Sequence, residues 1–429
     1  MRIQFSLVVA GLAVAYSARQ QVPTRTLSKP DVEYSEPFSG LASMVELRSG
    51  RVIAADTRER TLQIIDLASG TATPIGHEGS GPREWGLAMR VLRMPGDTAY
   101  VYDLPNARFL IVGPDGTPVR TVSPYAESAA RRGASGGNAN DAGRGGRRGG
   151  RGGDAAQGRR AVSFGGVTGA NVLNAAHTDA VGRMYYAGFP IVKTAQGSTA
   201  VDTFPVLRQR VASAQADTVT FLRNPPNASE FSSARGGGVS YRINAMRPFE
   251  SSDGWVVFPD GRVVVVRVAD YHLDVIAADG RVTRGAPVRY TPVPVTDAEK
   301  REHRESRAGA TMMTATGQSI PMSSFPEPDS WPEVKSPFAA NGVFAAPNGD
   351  TWVFRQRAAS DHVPVADVFD ERGVLVGRVA LPRDVRVIAL DVRGVYALRT
   401  DNDGLQYLQR YAVTWESCTA ELAATCRVR

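Results

Sequence analysis

Cysteine is nearly absent from this chain of 429 residues, which contains only Cys418 and Cys426. The two do not form a Cys-x-x-Cys pair, and no cluster of cysteine and histidine offers the ligands of a structural zinc site. They lie close together in a C-terminal tail that we place at residues 414–429. In an oxidising compartment they would pair and close a small loop, and two free thiols are the alternative.

The sequence also lacks the common signatures of catalysis. It has no His-Glu-x-x-His zinc motif, no nucleophile elbow of the Gly-x-Ser-x-Gly type between a strand and a helix, and no phosphate-binding loop. The five histidines, at positions 77, 177, 272, 303 and 362, are scattered without metal-ligand spacing. No motif therefore assigns the chain to the zinc peptidases, the α/β-hydrolases or the nucleotide-binding enzymes.

Apolar runs of the length that spans a membrane are missing as well, since a transmembrane helix needs about 20 residues. The run Phe5–Ala18 has 14 residues, follows the basic Arg2 and ends in small residues before a polar segment. This pattern predicts a signal peptide over residues 1–18 and a periplasmic or secreted protein without stable membrane insertion. A buried N-terminal strand or a short anchor is the alternative.

Positive charge exceeds negative charge by 7 over the whole chain, but one segment carries most of the excess. Residues 131–160 contain eight arginines and two aspartates, within a Gly/Arg-rich insert that we predict to be disordered over residues 126–161. Arginine-glycine segments bind single-stranded nucleic acid with the help of aromatic side chains, and residues 131–160 contain none. We therefore expect no nucleic-acid partner, and contact with anionic surfaces such as lipopolysaccharide stays an open alternative.

Glycine, by contrast, is abundant, and it punctuates a repeat that occurs six times. Each copy has a short apolar stretch, a tight glycine turn and a β-rich stretch. Turns of this kind favour hairpins because the backbone must adopt a positive φ. The six copies are ELRSGRVIAAD (46–56), RMPGDTAYVYD (93–103), TDAVGRMYYAG (178–188), VFPDGRVVVVR (257–267), AAPNGDTWVFR (345–355) and DVRGVYALRT (391–400).

A second glycine turn follows in four of the copies, so that one unit holds four antiparallel strands, which we label A to D. Four-stranded units of about 40–50 residues are typical of propeller blades. We therefore predict an all-β fold, a six-bladed β-propeller over residues 19–413, with a β-sandwich pair as the alternative. The sixth unit lacks a fourth strand after Val413, and we expect the segment Thr24–Tyr34 to supply it and close the ring.

Several segments resemble the six-bladed β-propeller proteins of bacteria, which are related to NHL-repeat propellers. GHEGSGPREW (76–85) resembles the Gly-Pro-Gly-Glu-Phe type of link between blades, with Arg83 in place of the second glycine and Trp85 in place of phenylalanine. GDTAYVYD (96–103) and FPDGRVVVVRVADYHLDVIAADGRV (258–282) resemble strands of the same family. The resemblance covers residues 40–290 and 340–413 and implies the fold, but it hardly constrains the function.

The long insertions all fall in D–A or B–C connections of the predicted blades. Because strands in a blade alternate in direction, these two kinds of connection share one face of the ring, and the A–B and C–D turns share the other. Long loops on a rigid scaffold are where binding sites are commonly built, and tolerated linker sequence is the alternative. The insertions are residues 123–168, 188–202, 224–250, 291–340 and 355–362.

One insert, residues 291–338, is predicted to be helical. Thr296 and Glu299 have the spacing of a capping box, and the run that follows to Arg307 is so highly charged that we expect a helix exposed on all sides. The insert would lie over the mouth of the propeller as a lid, or would be a plain surface excursion.

The loop-bearing face leads us to interpret the chain as a non-catalytic binding module for a peptide, protein or glycan, with no cofactor. The sequence leaves the oligomeric state open. Six residues are the predicted ligand contacts: Arg83, Glu84, Trp85, Asp103, Tyr271 and Arg355.

The six-bladed fold leaves an alternative open, a Ca²⁺-dependent hydrolase or lyase of the kind found among six-bladed lactonase-type hydrolases, although no motif of those enzymes is present in the sequence. Those enzymes hold the ion in the central channel with Glu, Asn and Asp oxygens, the ligands that a hard cation needs. Asn174, Glu250 and Asn341 are the candidate ligands at the starts of strands A, with Glu84 before the same strand of the second blade. Unrelated polar residues at strand starts are the other interpretation.

Overall fold

The computed structural model describes residues 22–123, 177–188, 191–194, 197–200, 202–211, 213, 215–225, 247–313, 319–324, 327–328, 330–416 and 427–428. The predicted signal peptide, the Gly/Arg-rich insert and both cysteines lie outside these residues, so the predictions made for them stay predictions.

Six sheets form the blades, each built on four antiparallel strands in the order A-B-C-D. The predicted six-bladed β-propeller is thereby confirmed. Two short strands, β1 (Thr24–Thr26) and β2 (Val32–Glu33), precede blade 1. Blade 1 comprises β3 (Leu41–Glu46), β4 (Val52–Asp56), β5 (Thr61–Asp66) and β6 (Thr71–Pro74). Blade 2 comprises β7 (Ala88–Met94), β8 (Thr98–Asp103), β9 (Arg108–Val112) and β10 (Pro118–Val122). Blade 3 and the hairpin in its B–C connection comprise β11 (His177–Thr178), β12 (Arg183–Ala187), β13 (Ile191–Thr194), β14 (Gly197–Ala200), β15 (Thr203–Arg210) and β16 (Ala216–Arg223).

The second half of the ring repeats the same order after a helical insert. Blade 4 comprises β17 (Gly254–Val257), β18 (Val263–Arg267), β19 (His272–Ile276) and β20 (Val282–Arg284). The insert comprises α1 (Asp297–Ala308), β21 (Thr311–Met313), β22 (Ser319–Pro321) and a short 3₁₀ helix (Met322–Ser324). Blades 5 and 6 and the tail comprise β23 (Phe338–Ala345), β24 (Thr351–Arg355), β25 (Val365–Phe369), β26 (Leu375–Ala380), β27 (Val385–Asp391), β28 (Gly394–Thr400), β29 (Gln406–Ala412), β30 (Trp415–Glu416) and β31 (Arg427–Val428).

The N-terminal segment closes the ring, as the sequence predicted. β2 pairs antiparallel with β29, with Val32 opposite Arg410, and is the outer strand of blade 6. The prediction is wrong for the first part of the segment, because β1 runs parallel to β26 and adds a fifth strand to blade 5 instead of joining blade 6. Blade 6 therefore combines strands from both ends of the chain, which covers the edge that β29 would otherwise expose.

Tight A–B turns hold each inner hairpin together, and blade 6 shows why a glycine is needed there. Gly394 has a φ of 149°, a conformation that side-chain-bearing residues rarely adopt. A Cβ atom at this position would lie 2.1 Å from the carbonyl oxygen of Tyr411 in the neighbouring strand. Any larger residue would therefore push β28 away from β29.

Apolar side chains fill the interfaces between consecutive blades. Among the described residues, six clusters of buried apolar side chains lie one at each of the six interfaces. Val263–Val266 of β18 are all buried, because blades 3 and 5 cover the two faces of blade 4. Burial on both faces explains why inner strands of this ring read as continuous apolar runs.

All the long connections belong to the D–A or B–C class, as the sequence predicted. They join β10 to β11, β12 to β15, β16 to β17, β20 to β23 and β24 to β25, and their ends lie on one face of the ring. In the part of the chain that the structure describes, α1 is too short and too polar to cross a membrane, and no other helix is long enough to do so.

Candidate functional site

Strand A of every blade contributes to a central cavity of about 680 Å³. The lining runs from Ala42 in blade 1 to Val392 in blade 6 and includes part of β3, β7, β11, β17, β23 and β27. This volume is within the range of small-ligand pockets.

Positive charge dominates the wall of this cavity. Arg90 and Arg93 come from β7 and Arg386 from β27, whereas Asp391 is the single carboxylate among the described lining residues. Arg93 donates to Asp391 at 2.5 Å, so these two charges compensate each other. Burial inside the ring lowers the pKa of both Arg90 and Arg386, because the surrounding protein disfavours the charged form.

Arg386 has no charge partner of its own in the described part of the chain. Its guanidinium makes no hydrogen bond and no ion pair there, although the side chain is accessible to solvent from the cavity. Arginine remains protonated under such conditions, so Arg386 presents an uncompensated cation to the cavity.

An uncharged aromatic pair forms another part of the wall. The ring of His177 in β11 lies edge-on to the ring of Trp255 in β17, with 4.8 Å between ring centroids. Burial, and to a smaller extent the charge of Arg90, lowers the pKa of His177 to about 3. The imidazole is therefore neutral at physiological pH, and the pair offers aromatic surface rather than charge.

Ion pairs join three blades at the A–B end of the cavity. Glu46, at the end of β3, is buried and accepts from Arg393 of blade 6 at 2.7 Å. Arg93 donates to the carbonyl oxygen of Glu46 as well as to Asp391. Burial, and then the charge of Asp391, raises the pKa of Glu46. The network ties blade 6 to blades 1 and 2, where the ring closes.

Four of the six predicted ligand residues lie together at the D–A/B–C end of blade 2, around the carboxylate of Asp103. Asp103 is fully buried at the end of β8 and accepts from the backbone N–H of Gly86 at 2.8 Å. It also accepts from Nε of Arg108 at 3.0 Å, and that guanidinium donates onward to the carbonyl oxygen of Glu84 at 2.9 Å. Asp103 thus connects residues 76–86, the link between blades 1 and 2, to the B–C side of blade 2 and supports both.

The link 76–86 is itself anchored by Trp85, which is buried and donates from Nε1 to the carbonyl oxygen of Ile75 at 2.8 Å. Glu84 accepts from the backbone N–H of Gly81 at 2.7 Å, and part of its side chain remains accessible. Arg83 is exposed. Within this link, Arg83 and Glu84 are therefore the residues that a ligand reaches from solvent.

The remaining two predicted ligand residues, Tyr271 and Arg355, meet at a carboxylate that the sequence reasoning missed. Tyr271 is fully buried and donates from its hydroxyl to Asp367 at 2.7 Å. Arg355 lies 3.7 Å from the same carboxylate, and Arg378 donates to it from Nε at 2.9 Å. Burial, and then the charge of Asp367, raises the pKa of Tyr271. The sequence feature that could have indicated Asp367 is its place as the only charged residue in the otherwise apolar strand VADVF.

Contact with a ligand stays a prediction for all six of these residues. The structure assigns three of them, Trp85, Asp103 and Tyr271, to buried hydrogen bonds that support the loops. None of the six residues lines the central cavity.

Of the candidate calcium ligands that the structure describes, one lines the central cavity. Asn341 lines the cavity, but Glu250 pairs with Arg247 at 2.5 Å and, like Glu84, lies outside the lining. Asn174 falls outside the described residues. Over the residues that the structure describes, no group of three or more His, Cys, Asp or Glu side chains could hold a metal ion.

Helix α1 is fixed at its two ends to different blades. The predicted capping box is present, and Glu299 also accepts from the backbone N–H of Ala359, in the B–C loop of blade 5, at 2.9 Å. At the other end, Arg58 of the B–C loop of blade 1 donates to the carbonyl oxygen of Gly309 at 2.6 Å. The expectation of a helix exposed on all sides is wrong at Glu299, which is buried by this docking.

Aromatic side chains attach the same insert to blades 4 and 5. The rings of Phe249, His303 and Trp331 lie 5.4 to 5.9 Å from one another. Lys335 is buried, with Nζ 4.4 Å from the Phe249 ring centroid, and it donates to the carbonyl oxygen of Arg357 at 2.8 Å. The insert therefore contacts three blades on the D–A/B–C face.

The charged cavity residues were not singled out from the sequence. Arg90 lies within AMRVLRM and Arg386 within VRVIALD, where an arginine in a strand ordinarily faces solvent. The sequence feature that could have identified both arginines as cavity residues is their position in strand A, the strand of each blade that borders the axis.

No protein-family model matches the chain, and no curated protein matches it in sequence. Its structure is similar to that of a member of the DUF4221 family from Bacteroides vulgatus, with 11% identity, a TM-score of 0.44, and coverage of 89% of this chain and 94% of that one. It is similar to the calcium-binding protein regucalcin from Agrobacterium tumefaciens, with 11% identity, a TM-score of 0.38, and coverage of 91% and 96%. It is also similar to virginiamycin B lyase from Staphylococcus aureus, with 10% identity, a TM-score of 0.37, and coverage of 89% and 98%. Likenesses at this level carry no argument about activity, and the assignment as a six-bladed β-propeller rests on the six sheets and their ring closure.

Proposed function

We propose that the chain is a non-catalytic binding module whose D–A/B–C face receives a peptide, protein or glycan. The observation that supports this most strongly is the attachment of α1 to the B–C loops of blades 5 and 1 on that face. A rigid ring that gathers its long connections at one end is a suitable scaffold for recognition, because the strands position the loops.

In this proposal α1 lies over the mouth of the central cavity as a lid. Blade 6 separates blades 5 and 1 in the ring, so a segment bonded to both spans more than one blade. The hydrogen bonds from Ala359 to Glu299 and from Arg58 to Gly309 fix its two ends, and an ion pair of Glu302 with Arg357 at 3.5 Å adds a further contact with blade 5.

The exposed part of the face is polar and carries both signs of charge. Arg83 is exposed, and His77 lies 3.7 Å from Glu84 at the rim. Arg60 pairs with Glu78 at 2.5 Å nearby. Such a rim suits a hydrophilic partner, because the rim of a binding interface is ordinarily polar and accessible to solvent.

A ligand screen tests the proposal directly. The purified chain would be applied to a glycan array and to a phage-displayed peptide library, and each hit would be measured by calorimetry. We expect Arg83→Glu to weaken binding at least about tenfold through charge reversal. Arg281→Glu is the matched control, because Arg281 is exposed in the C–D turn of blade 4 on the opposite face.

Two outcomes of that screen contradict the proposal. One is equal loss of binding in the Arg83→Glu and Arg281→Glu variants, and the other is full binding in both. Either result would mean that the bound ligand does not use the D–A/B–C face.

The calcium-dependent alternative differs from a binding module in measurable ways. Elemental analysis of the purified chain, combined with thermal unfolding before and after EDTA treatment, distinguishes the two. The binding-module proposal expects no calcium at stoichiometric level and an unchanged unfolding temperature. Bound calcium together with a lower unfolding temperature after EDTA would favour the hydrolase or lyase instead.

The same proposal places the mature protein in the periplasm or outside the cell, with a disulfide between Cys418 and Cys426. In support, the segments that flank the two cysteines pair with each other, with Trp415 opposite Val428 in the hairpin of β30 and β31. Intact mass and thiol labelling of exported protein test this. Cleavage after residue 18 and no reactive thiol before reduction are expected, and an uncleaved chain with two reactive thiols would contradict it.

A further inference from the structure

We propose that the central cavity binds a small organic anion, with Arg386 and Arg90 as its charge partners and the Trp255 ring as its apolar contact. This site is independent of the function proposed above, because none of the six predicted loop-face residues lines the cavity.

The charge balance of the wall is the first argument. The described lining residues include three arginines and one carboxylate, and that carboxylate, Asp391, is already bonded to Arg93. His177 adds no charge, since its pKa of about 3 keeps it neutral. The cavity thus holds an excess of positive charge in a partly desolvated space, and an oxyanion compensates such charge better than water does.

The state of Arg386 is the second argument. A guanidinium carries five N–H donors, and those of Arg386 are accessible from the solvent of the cavity. In the described part of the chain Arg386 has neither an ion-pair nor a hydrogen-bond partner, while β27 holds it at the cavity wall. Two parallel N–H donors on such a side chain match a carboxylate, sulfate or phosphate group.

The surroundings of the two arginines define the rest of the ligand. Arg386 is the second residue of β27 and Arg90 the third residue of β7, so both lie toward the D–A end of the cavity. Blade 1 stands between them and presents the small Ala42 and Ser43, which leave room for a bound group. Asn341 adds an uncharged amide that can bond to hydroxyl groups.

The aromatic wall and the volume set the size and shape of the ligand. Trp255 offers a ring surface against which an apolar face can pack, and its partner His177 is uncharged. A cavity of about 680 Å³ accommodates a molecule of one or two sugar rings rather than a folded domain. An acidic sugar, with a carboxylate, sulfate or phosphate on a pyranose, has all of these properties.

Calorimetric titration of the full mature chain tests the site with defined probes. Glucuronate, glucose 6-sulfate and glucose 6-phosphate carry the three oxyanions on one kind of ring, and glucose is the neutral control. We expect at least one anion to bind with millimolar or better affinity and more weakly as salt rises, and glucose not to bind. The preferred probe identifies which oxyanion the cavity takes.

Variants then locate the binding. Arg386→Gln and Arg90→Gln should each weaken the preferred probe at least about tenfold, since a charge-assisted hydrogen bond is lost. Arg281→Gln, which removes an exposed arginine on the outside of the ring, should bind as the unaltered chain does. Arg386→Gln should also fold normally, because it breaks no bond within the described chain, and circular dichroism with thermal unfolding checks this.

Three results overturn the proposal: no binding of any of the three anions, equal binding of glucose, or unchanged affinity in a folded Arg386→Gln variant. The loop-face variant Arg83→Glu keeps the two proposals apart, because it should leave anion binding intact while it weakens a loop-face ligand.

Discussion

Asp367 shows how a single carboxylate can organise the boundary between two blades. It accepts from the Tyr271 hydroxyl on blade 4 and from the Arg378 guanidinium on blade 5, and it lies near Arg355 as well. Both hydrogen bonds and the nearby charge of Arg355 meet a carboxylate that is 1% exposed, so little water is available to replace any of these contacts.

Removal of this charge should be costly. We predict that Asp367→Asn lowers the free energy of unfolding by about 3 kcal/mol, because Arg355 and Arg378 are left without a counter-charge. Tyr271→Phe loses one hydrogen bond and should lower it by about 1–2 kcal/mol. Urea unfolding measures both.

A matched surface variant shows whether the effect depends on burial. Asp217 is exposed and lies 3.5 Å from Arg208, so Asp217→Asn should change the free energy of unfolding by less than about 0.5 kcal/mol. If Asp367→Asn and Asp217→Asn had the same effect, the buried pairing would not have the role assigned to it.

At the scale of elements, the buried carboxylate of Glu299 makes the hydrogen bond between the start of α1 and blade 5, next to the longer ion pair of Glu302 with Arg357. The N–H of Ala359, and then the hydroxyl of Thr296, lower the pKa of Glu299 to about 2. Because this value lies below the usual 4.5, the stabilisation is complete above pH 4.5 and is lost as the pH falls toward 2.

We therefore predict acid-dependent release of α1 from blade 5. Glu299→Gln should lower stability at neutral pH and remove the part of the acid dependence that the native chain shows between about pH 4.5 and pH 2. Urea unfolding as a function of pH measures this, with Glu305→Gln as the control on an exposed position of the same helix. An identical pH profile for Glu299→Gln and the native chain would contradict the docking.

The N-terminal strands are the second element with a testable role. A chain that begins at residue 35 lacks β1 and β2 and loses the ion pairs of Asp31 with Arg410 and of Glu33 with Arg399. It also exposes the edge of β29, which is a template for pairing with another chain.

We predict that this truncated chain unfolds at a lower temperature and self-associates. A chain that begins at residue 22 retains both strands and is the control. Thermal unfolding and light scattering after size-exclusion chromatography measure the two effects. Equal unfolding temperatures and monomers in both cases would show that β2 does not close the ring.

At the scale of the whole molecule, the blade pattern was predictable because it depends on local chemistry. Positive φ at the A–B turns restricts the residue type, as at Gly394, and burial on both faces gives the apolar run Val263–Val266. Thr24–Thr26 was assigned to the wrong blade, because this exposed polar strand has no periodicity that indicates which strand it pairs with.

The candidate site was less predictable, since it depends on contacts between distant parts of the chain. The motif around Trp85 indicated a link between blades, but it could not reveal that the indole packs inward against Ile75. Arg386 was not identified as a cavity residue from the sequence, because only the closed ring places β27 next to the central cavity. Asp367 gathers side chains from two blades, and no spacing in the sequence predicts that convergence.

The central claim is that one face carries the long connections and that α1 lies across it between blades 5 and 1. Cross-linking measures this most directly. In a chain with both native cysteines changed to serine, Arg58→Cys and Gly309→Cys would be treated with a short bis-maleimide and analysed by mass spectrometry. We predict efficient cross-linking within one chain, whereas Arg281→Cys with Gly309→Cys should give none. Cross-linking in the second pair, or none in the first, would contradict the account.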